Sequence, residues 1–469
     1  DKDDCADLGI IKVDLLGLGM LQALEEAIPL IRQHEKVAID LAHLPPDDTV
    51  TFEMLRKADT VGVFQVESRA QMASLPRNAP KCFYDLVIQV AIIRPGPIVG
   101  GMVHPYFERR MGRQEVTYAH PSLEPILKRT LGVLLFQEQI LRVAMVAAGF
   151  TGGEAEDLRR AMGFKRSAER MQDLEDKLRR GMAGNGIVGE AQEQIVRAIT
   201  SFALYGFPES HAASFALIAY ASAYLKAHHP TAFLISLLNA WPMGFYYPAT
   251  LIKDAQRHGV DVRPIDVNHS GWRCRWEKSP GVLGSWGPGA TAPNKTSRPQ
   301  DLKTSRPQDL KTSRPPGAAR LGLRFVKGLR KEAGEAIEWA QGRRAFSSAE
   351  DLVRRCRLRR EELDILAEIG ALASLGSTRR GALWQVARAS RPAGPLFEET
   401  RPGVLGSWGP GATAPNKTSR PQDLKTSRPQ DLKTPLPEMS PFEETLSDYA
   451  GTGMTTGPHP LQHLRPSLN

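Results

Sequence analysis

Asp14 is the residue of this sequence whose type and setting best suit the binding of a metal ion. It lies in Lys12-Val-Asp14-Leu-Leu-Gly-Leu18, directly after the short apolar run Ile10 to Val13, which reads as a buried strand. Leu18 to Ile31 then has the apolar spacing of a helix, and we expect that helix to end near Pro29. A carboxylate fixed between a strand and a helix can hold a hard cation such as Mg²⁺. It can equally cap the helix, and the spacing alone leaves both interpretations open.

Cationic side chains cluster on one predicted helix, Asp157-Leu-Arg-Arg-Ala-Met-Gly-Phe-Lys-Arg166. Arg159 and Arg166 are seven residues, about two helical turns, apart, and Arg160 and Lys165 lie alongside. A guanidinium group can donate two parallel hydrogen bonds to phosphate oxygens, and a lysine adds a point charge. The pattern therefore predicts a phosphate ligand. A solvated basic face is the alternative.

Two short motifs offer further contacts. Arg94 leads the rigid turn Ile93-Arg-Pro-Gly-Pro97 and is a candidate phosphate ligand, unless it pairs with an acid such as Glu67. His211 follows Ser210 just ahead of an apolar helix, so His211 is a candidate contact and Ser210 a candidate helix cap.

Leu323 to Ile337 resembles a helix-hairpin-helix, a motif whose glycine turn opens a helix and lets bare N–H groups meet a DNA phosphate. Gly328 supplies the turn, and Lys327 and Arg330 add positive charge. The second glycine usual in the motif is replaced by Arg330. A purely structural helical hairpin is the alternative interpretation.

Five long motifs occur in an order that resembles the bacterial C-family DNA polymerases, the family of the polymerase III alpha subunit. They are Gly62-Val-Phe-Gln-Val-Glu-Ser-Arg69, Ile93-Arg-Pro-Gly-Pro97, Leu134-Leu-Phe-Gln-Glu-Gln139, Asp157-Leu-Arg-Arg-Ala-Met-Gly163 and Gly206-Phe-Pro-Glu-Ser-His-Ala-Ala-Ser-Phe215. Four others look more like the error-prone, translesion branch: Asn239-Ala-Trp-Pro-Met-Gly-Phe-Tyr246, Asp254-Ala-Gln-Arg-His-Gly259, Pro264-Ile-Asp-Val-Asn-His269 and Gly457-Pro-His-Pro460.

The resemblance implies template-directed DNA synthesis with two Mg²⁺ ions held by three aspartates. Asp14 matches the third aspartate, as catalytic and metal-binding residue, whereas the Pro-Asp-x-Asp motif of the other two occurs nowhere in the sequence. We therefore expect a fragment that lacks the N-terminal part and is inactive alone. The alternative is a non-catalytic helical DNA-binding protein derived from a polymerase.

The implied substrates are primer-template DNA and deoxynucleoside triphosphates, and the resemblance assigns nucleotide binding to Arg94, Arg159, Arg160, Lys165 and His211. Translesion accessory proteins are implied partners. Gly394-Pro-Leu-Phe397 lacks the glutamine of a sliding-clamp peptide, which argues against clamp binding through it.

Composition favours a cytoplasmic protein with reduced thiols. No run approaches the roughly 18 apolar residues that span a membrane, and four scattered cysteines indicate neither a zinc site nor a disulfide framework. The net charge of +9 suggests nucleic acid, but Pro280 to Thr312 recurs letter for letter as Pro402 to Thr434. Each copy carries five Lys or Arg against two Asp, so the copies supply +6 of the +9. Any DNA-binding surface must therefore come from local clustering of charge.

The fold expected is mainly α with a mixed α/β portion. Helices are predicted over Ala191 to Tyr205 and Ser214 to His228, with Pro230 opening the next helix. The predicted segments are the end of a palm (1–60), helical fingers (61–240), a small α/β segment (241–279), a disordered repeat insert (280–317), a helix-hairpin-helix region (318–392) and a weakly ordered proline-rich tail (393–469) containing the second insert (402–434).

Overall fold

The computed structural model describes residues 8–10, 16–93, 103–162, 168–203, 207–243, 246–278, 317–389 and 437–465. At 103–104, 160–162, 168–171, 201–203 and 389 it describes the backbone alone. The chain divides into two compact units. Unit 1 comprises Asp1–Val262 and Trp276–Ala319, and unit 2 comprises Arg263–Arg275 and Arg320–Asn469.

Unit 1 is helical. Its helices are α1 (Leu18–His34), α2 (Thr49–Arg56), α3 (Arg69–Asn78), α4 (Phe83–Ile92), α5 (Val103–Arg110), α6 (Glu124–Leu127), α7 (Gln137–Ala148), α8 (Gly152–Met162), α9 (Ala168–Gly184), α10 (Glu190–Ala203), α11 (Glu209–His228), α12 (Pro230–Ala240) and α13 (Pro248–Arg257). Short 3₁₀ turns lie at Leu41–His43, Pro121–Leu123 and Lys128–Thr130.

One core of unit 1 forms around α11. This helix presents alanines at 212, 216, 219 and 223, and these small side chains let α11 lie close to α4. Phe52, Leu55, Leu75, Tyr106 and Phe136 complete the core and are all fully buried. The motif Gly62 to Arg69 is a tight turn against α11, since the Phe64 N–H donates to Ser222 Oγ at 3.1 Å.

A second core joins α7, α8, α9 and α10. Its buried side chains include Ile140 and Val143 of α7, Leu158 of α8, Met182 of α9 and Ile195 of α10. These four helices therefore pack as a local bundle, and Arg159 of the predicted basic motif lies on its helix α8.

The helices predicted from apolar spacing are confirmed as α10, α11 and α12, and Pro230 is the first residue of α12. Two details of the helix predictions were wrong. α1 runs through Pro29 to His34, because Ala23, Leu24, Ala27 and Ile31 bury one continuous face against α12 and this packing outweighs the hydrogen bond lost at proline. Ser210 is not a cap, because α11 begins at Glu209 after Pro208.

Three short strands form a sheet in the order β1 (Asp261–Arg263), β3 (Ala318–Arg320), β2 (Arg275–Glu277). A strand predicted over Trp272 to Trp276 corresponds to β2, which begins at Arg275. A Cβ at Gly317 would lie 2.1 Å from Trp276 Nε1, so Trp276 of β2 is in direct contact with Gly317, the residue before β3 and the last residue of the predicted first insert.

Unit 2 is also helical. Its helices are α14 (Lys331–Arg343), α15 (Ala349–Cys356), α16 (Arg360–Glu368), α17 (Arg379–Ala389), α18 (Pro441–Thr452) and α19 (Pro460–Leu464), with 3₁₀ turns at Leu323–Phe325 and Ala373–Leu375.

The weak order expected after Pro435 is not what the structure has. Ser440 Oγ accepts from Glu443 N–H, and Glu443 Oε2 accepts from Ser440 N–H at 2.7 Å, so a capping box starts α18 with Pro441 as its first residue. Arg379 Nη1 of α17 lies 2.8 Å from Asp448 Oδ1 of α18 and ties the two helices together.

The mainly helical fold class with a small mixed sheet is confirmed. Within the described ranges, no helix has the length and apolar character needed to cross a membrane. Cys274 and Cys356 are buried free thiols, and Cys82 is exposed. Both repeat segments lie outside the described residues apart from Gly317, and the six predicted segments stay a prediction.

Candidate functional site

The first turns of α7 and α11 lie side by side. Gln137 N–H donates to Phe207 O at 3.0 Å, and Glu209 N–H donates to Glu138 Oε2 at 2.8 Å. Two helix N-termini, each with a positive partial charge, therefore meet where the motifs Leu134 to Gln139 and Gly206 to Phe215 come together.

Arg159 lies at this junction. Its Nε and Nη2 donate to the two carboxylate oxygens of Glu156 at 2.8 and 2.6 Å, and its Nη1 donates to Gln137 Oε1 at 3.5 Å. The hydrogen bond to Glu156 is the main reason that the pKa of Arg159 is raised further above its ordinary value. The guanidinium is thus permanently charged, only partly buried, and held by one turn of α8 against the first turn of α7.

His211 lies in an aromatic cluster on α11. Its ring centroid is 5.0 Å from that of Phe207 and 4.1 Å from that of Phe215, and Phe215 in turn meets Phe64 edge-on at 5.5 Å. The half-buried imidazole therefore has a fixed orientation beside the Gln137–Phe207 pairing that leads to Arg159.

Acidic and aromatic partners complete the junction, and sequence reasoning missed them. Tyr84 donates from its hydroxyl to Glu209 Oε1 at 2.7 Å, and the Arg129 guanidinium lies over the Tyr84 ring at 5.0 Å. Burial first, and then Glu209, raise the pKa of Tyr84. Glu156 was detectable, since it lies three residues before Arg159 on a predicted helix. Tyr84 and Glu209 are 125 residues apart, and no local signal joins them.

Four predicted residues are not described at this junction. Asp14, Arg94 and Lys165 lie outside the described residues, and Arg160 belongs to α8 with only its backbone described. The structure therefore brings Arg159 and His211 into one neighbourhood and leaves the other predicted nucleotide contacts, and the metal ligand, as predictions.

One group of described side chains has the proximity of a metal site but does not fit Mg²⁺. The ligand atoms of Asp59, Asp254 and His258 lie within 4.8 Å of one another. The buried Lys226 ammonium donates to Asp59 Oδ1 at 3.2 Å and to Asp254 Oδ2 at 2.8 Å, so a cation already lies between the carboxylates. Burial opposes ionisation of Asp59, but the His258 hydrogen bond and the Lys226 charge outweigh burial and lower the pKa of Asp59 to about 2. This cluster is an ion-pair network of the fold.

The predicted hairpin has the expected turn. Gly328 adopts φ of +80° with open space around it, between the buried side chains of Val326 and Leu329, and α14 begins at Lys331. An exposed left-handed glycine close to two buried side chains is suited to close approach by a phosphate, and the first turn of α14, with its free N–H groups, begins three residues later.

Arg330 also holds this turn in place. Its Nε and Nη2 lie 2.8 and 3.0 Å from the two oxygens of Glu362 on α16, and its backbone N–H donates to Glu362 Oε1 at 3.2 Å. Burial opposes ionisation of Glu362, yet the hydrogen bonds from Arg330 outweigh it and lower the pKa of Glu362 to about 2.

Lys327 is held on the other side of the turn. Its Nζ donates to the carbonyl oxygens of Tyr449 and Ala450 at 3.0 Å each, near the C-terminal end of α18. A cation is favoured at that end of a helix, so Lys327 has a structural contact in addition to its predicted DNA contact.

Two family models match parts of this chain. Residues 20–186 match the bacterial DNA polymerase III alpha subunit finger domain, and residues 259–382 match a helix-hairpin-helix motif. The whole chain is 45% identical to an error-prone DNA polymerase of Anaeromyxobacter dehalogenans (strain 2CP-C), of which it covers 38%. It is 45% identical to that of Methylococcus capsulatus and 44% identical to that of Pseudomonas fluorescens (strain Pf-5), covering all of this chain and 41% and 40% of those relatives. The chain therefore spans about two fifths of the curated relatives it matches.

Proposed function

We propose that this chain, which belongs to the bacterial DNA polymerase III alpha-like family, provides the nucleotide-covering and DNA-gripping parts of an error-prone DNA polymerase. Such an enzyme adds deoxynucleotides to a primer under the direction of a template. The observation that carries the proposal is the similarity of the entire chain, at 45% identity, to proteins named error-prone DNA polymerase, together with the finger-domain match.

The nucleotide would bind at the junction of α7, α8 and α11. Arg159 would exchange Glu156 for phosphate oxygens of the incoming triphosphate, because a guanidinium can bind either partner with two parallel hydrogen bonds. Arg160, Lys165 and Arg94 would add positive charge, and His211 would contact the nucleotide or the primer from its aromatic cluster. Fixed cations would stabilise the transition state, because negative charge develops on the phosphate groups as pyrophosphate is released.

Asp14 would be one of the carboxylates that hold two Mg²⁺ ions. When bound, such ions make the primer hydroxyl nucleophilic and neutralise the leaving pyrophosphate. The cluster of Asp59, Asp254 and His258 supplies no substitute among the described residues, since the Lys226 ammonium already lies between its two carboxylates.

Duplex DNA would be held by the hairpin of unit 2. The exposed turn at Gly328 and the N-terminus of α14 would meet a phosphate through backbone N–H groups, with Lys327 and Arg330 adding charge. Contacts of this kind ignore base sequence, which a polymerase that meets every template requires. Damaged templates and translesion accessory proteins would follow from the error-prone branch.

A chimera tests the proposal directly. This chain would replace the matching segment of the Methylococcus relative, and extension of a labelled primer would be followed on intact and abasic templates. We expect extension on both, and we expect Asp14→Asn to lower the rate at least about a hundredfold, roughly 2.7 kcal/mol of transition-state stabilisation. Asp47→Asn, in the loop sequence Pro46-Asp-Asp48, is the matched control and should extend normally.

The rival function gives a different outcome. A folded chimera that binds primer-template DNA but does not extend it would favour a non-catalytic DNA-binding protein. Normal extension by the Asp14→Asn chimera would show that the metal ligand lies elsewhere.

A further inference from the structure

Trp339 lies on the surface of unit 2, near the end of α14, and is 62% exposed. One turn later, Arg343 covers part of the indole, with its guanidinium carbon 3.9 Å from the ring centroid. A single exposed aromatic residue is ordinary on a protein surface. A tryptophan stacked with arginine is different, because indole and guanidinium planes are the surfaces on which unpaired nucleobases stack.

Positive charge is concentrated beside this pair. Arg344 and Arg354 each reach Asp351 Oδ1, at 3.2 and 3.0 Å, and Arg355 reaches Oδ2 at 3.2 Å. Asp351 can neutralise one guanidinium, and the exposed Glu350 beside it another, so the three arginines and Arg343 retain a net positive charge. The side chains of Arg344 and Arg354 are 67% and 76% exposed and remain open to a further anionic partner.

The end of α14 is fixed in place. Arg355 donates to the carbonyl oxygens of Ala340 and Arg344, the latter at 2.8 Å, and its guanidinium lies over the buried Phe346 ring at 4.4 Å. These contacts tie α15 to the last turn of α14. A stacking surface held by such contacts loses little conformational entropy when a ligand binds.

We propose that Trp339, Arg343, Arg344 and Arg354 form a binding site for single-stranded DNA. An unpaired base stacks on the Trp339–Arg343 pair, and the flanking phosphates lie against Arg344 and Arg354. The identification of the strand as a template rests on the proposed function, whereas the stacking chemistry does not. Trp339 follows Lys331 by eight residues, about 12 Å along the helix axis, so α14 carries a duplex contact at its start and an unpaired base near its end.

Binding of two DNA probes by the full chain tests the proposal. One probe is fluorescein-labelled oligo-dT with an internal 2-aminopurine, and the other is a blunt duplex. Trp339→Ala should weaken oligo-dT binding about tenfold, within the range for loss of one stacked base, and should abolish quenching of 2-aminopurine. Trp339→Phe should retain most of both signals. Duplex affinity should be unchanged in both variants.

Trp384→Ala is the matched control, because Trp384 is an exposed tryptophan of α17 in the same unit. It should bind oligo-dT like the wild type, and circular dichroism should show the same melting temperature for all variants. Equal losses in Trp339→Ala and Trp384→Ala, or equal losses for both probes, would overturn the stacking site.

The two probes separate this proposal from the proposed function. If the chain binds oligo-dT in a Trp339-dependent way but does not bind the duplex, the result supports the stacking site and contradicts the proposed duplex-binding role of the hairpin. Duplex binding with no effect of Trp339→Ala on oligo-dT would do the opposite.

Discussion

At the scale of single residues, the pairing of Arg159 with Glu156 implies competition for one guanidinium. Because a triphosphate and Glu156 need the same donors, Glu156→Gln should increase the affinity of the chain for a deoxynucleoside triphosphate. The side chains are 37% and 35% exposed, so the gain should be about 1 kcal/mol, or about fivefold in Kd. Anisotropy of a fluorescent nucleotide measures it.

Two variants check this competition. Glu154 lies on α8, like Glu156, and pairs with Lys177 of α9. Glu154→Gln removes that pair and should leave nucleotide affinity unchanged. Arg159→Ala should weaken binding and cancel the effect of Glu156→Gln. An unchanged Kd in Glu156→Gln would mean that Arg159 serves the fold alone.

Glu67 predicts a pH dependence of stability. Burial raises the pKa of Glu67 to about 7, from an ordinary value near 4.5 in the unfolded chain. The folded state therefore binds the proton more tightly, and this group lowers stability progressively as pH rises from about 4.5 to about 7. Glu67→Gln should leave the free energy of unfolding unchanged at pH 4 and raise it by up to about 3 kcal/mol at pH 8.

Urea unfolding at the two pH values measures that difference. Glu53→Gln, at an exposed position of α2, is the control, and it should change the free energy of unfolding by the same small amount at both pH values. A pH-independent effect of Glu67→Gln would indicate that a cation neutralises Glu67 in the folded protein.

At the scale of elements, we expect the two cations of the hairpin turn to differ in effect, with loss of Arg330 acting mainly on stability and loss of Lys327 mainly on DNA affinity. Arg330→Ala leaves the Glu362 carboxylate, which is 2% exposed, without its bidentate partner, and should lower the melting temperature by a few degrees. Arg330→Lys should have nearly as low a melting temperature as Arg330→Ala, because an ammonium cannot reproduce the bidentate contact with Glu362. Arg360→Ala, which removes an exposed pair with Asp364 on α16, should have no effect.

Lys327→Ala should act on DNA instead. Duplex affinity should fall, and the slope of log K against log salt should decrease by about one, the value for one lost phosphate contact. An unchanged slope with a lower melting temperature would assign Lys327 to the cap of α18 alone.

Elements were predictable where one local pattern decided them. α10, α11 and α12 follow from apolar spacing and from Pro230, and the Gly328 turn follows from a motif whose residues lie close together in the sequence. The continuation of α1 through Pro29 was not predictable, because it depends on packing against α12, some 200 residues away. The same holds for the site: Glu156 is a neighbour of Arg159 in sequence, whereas Tyr84 and Glu209, or Arg330 and Glu362, meet only after folding.

At the scale of the whole molecule, the duplicated repeats should be dispensable for folding. Their proline-rich composition and exact duplication motivate this hypothesis, and the contact between Trp276 and Gly317 adds a physical reason. The first repeat joins two strands of one sheet whose flanking residues already touch, so a short loop can replace it at little change in loop-closure entropy. Deleting 280–316 with a three-glycine replacement, together with 402–434, should leave the melting temperature within a few degrees.

Limited proteolysis gives the complementary measurement. Trypsin should cut first at the lysines of the two repeats, because each of their arginines precedes a proline and is resistant to trypsin. The resulting pieces should stay associated with unchanged helical content. As a matched deletion, removal of Pro441–Thr452 should destabilise unit 2, because it removes Asp448, the partner of Arg379.

The two repeats together carry two thirds of the net charge of the chain. If they act as basic tethers, their deletion should also weaken the binding of duplex DNA at low salt. Unchanged DNA affinity with an unchanged melting temperature would identify them as inserted sequence without a part in either, whereas failure of the doubly deleted chain to fold would contradict the hypothesis.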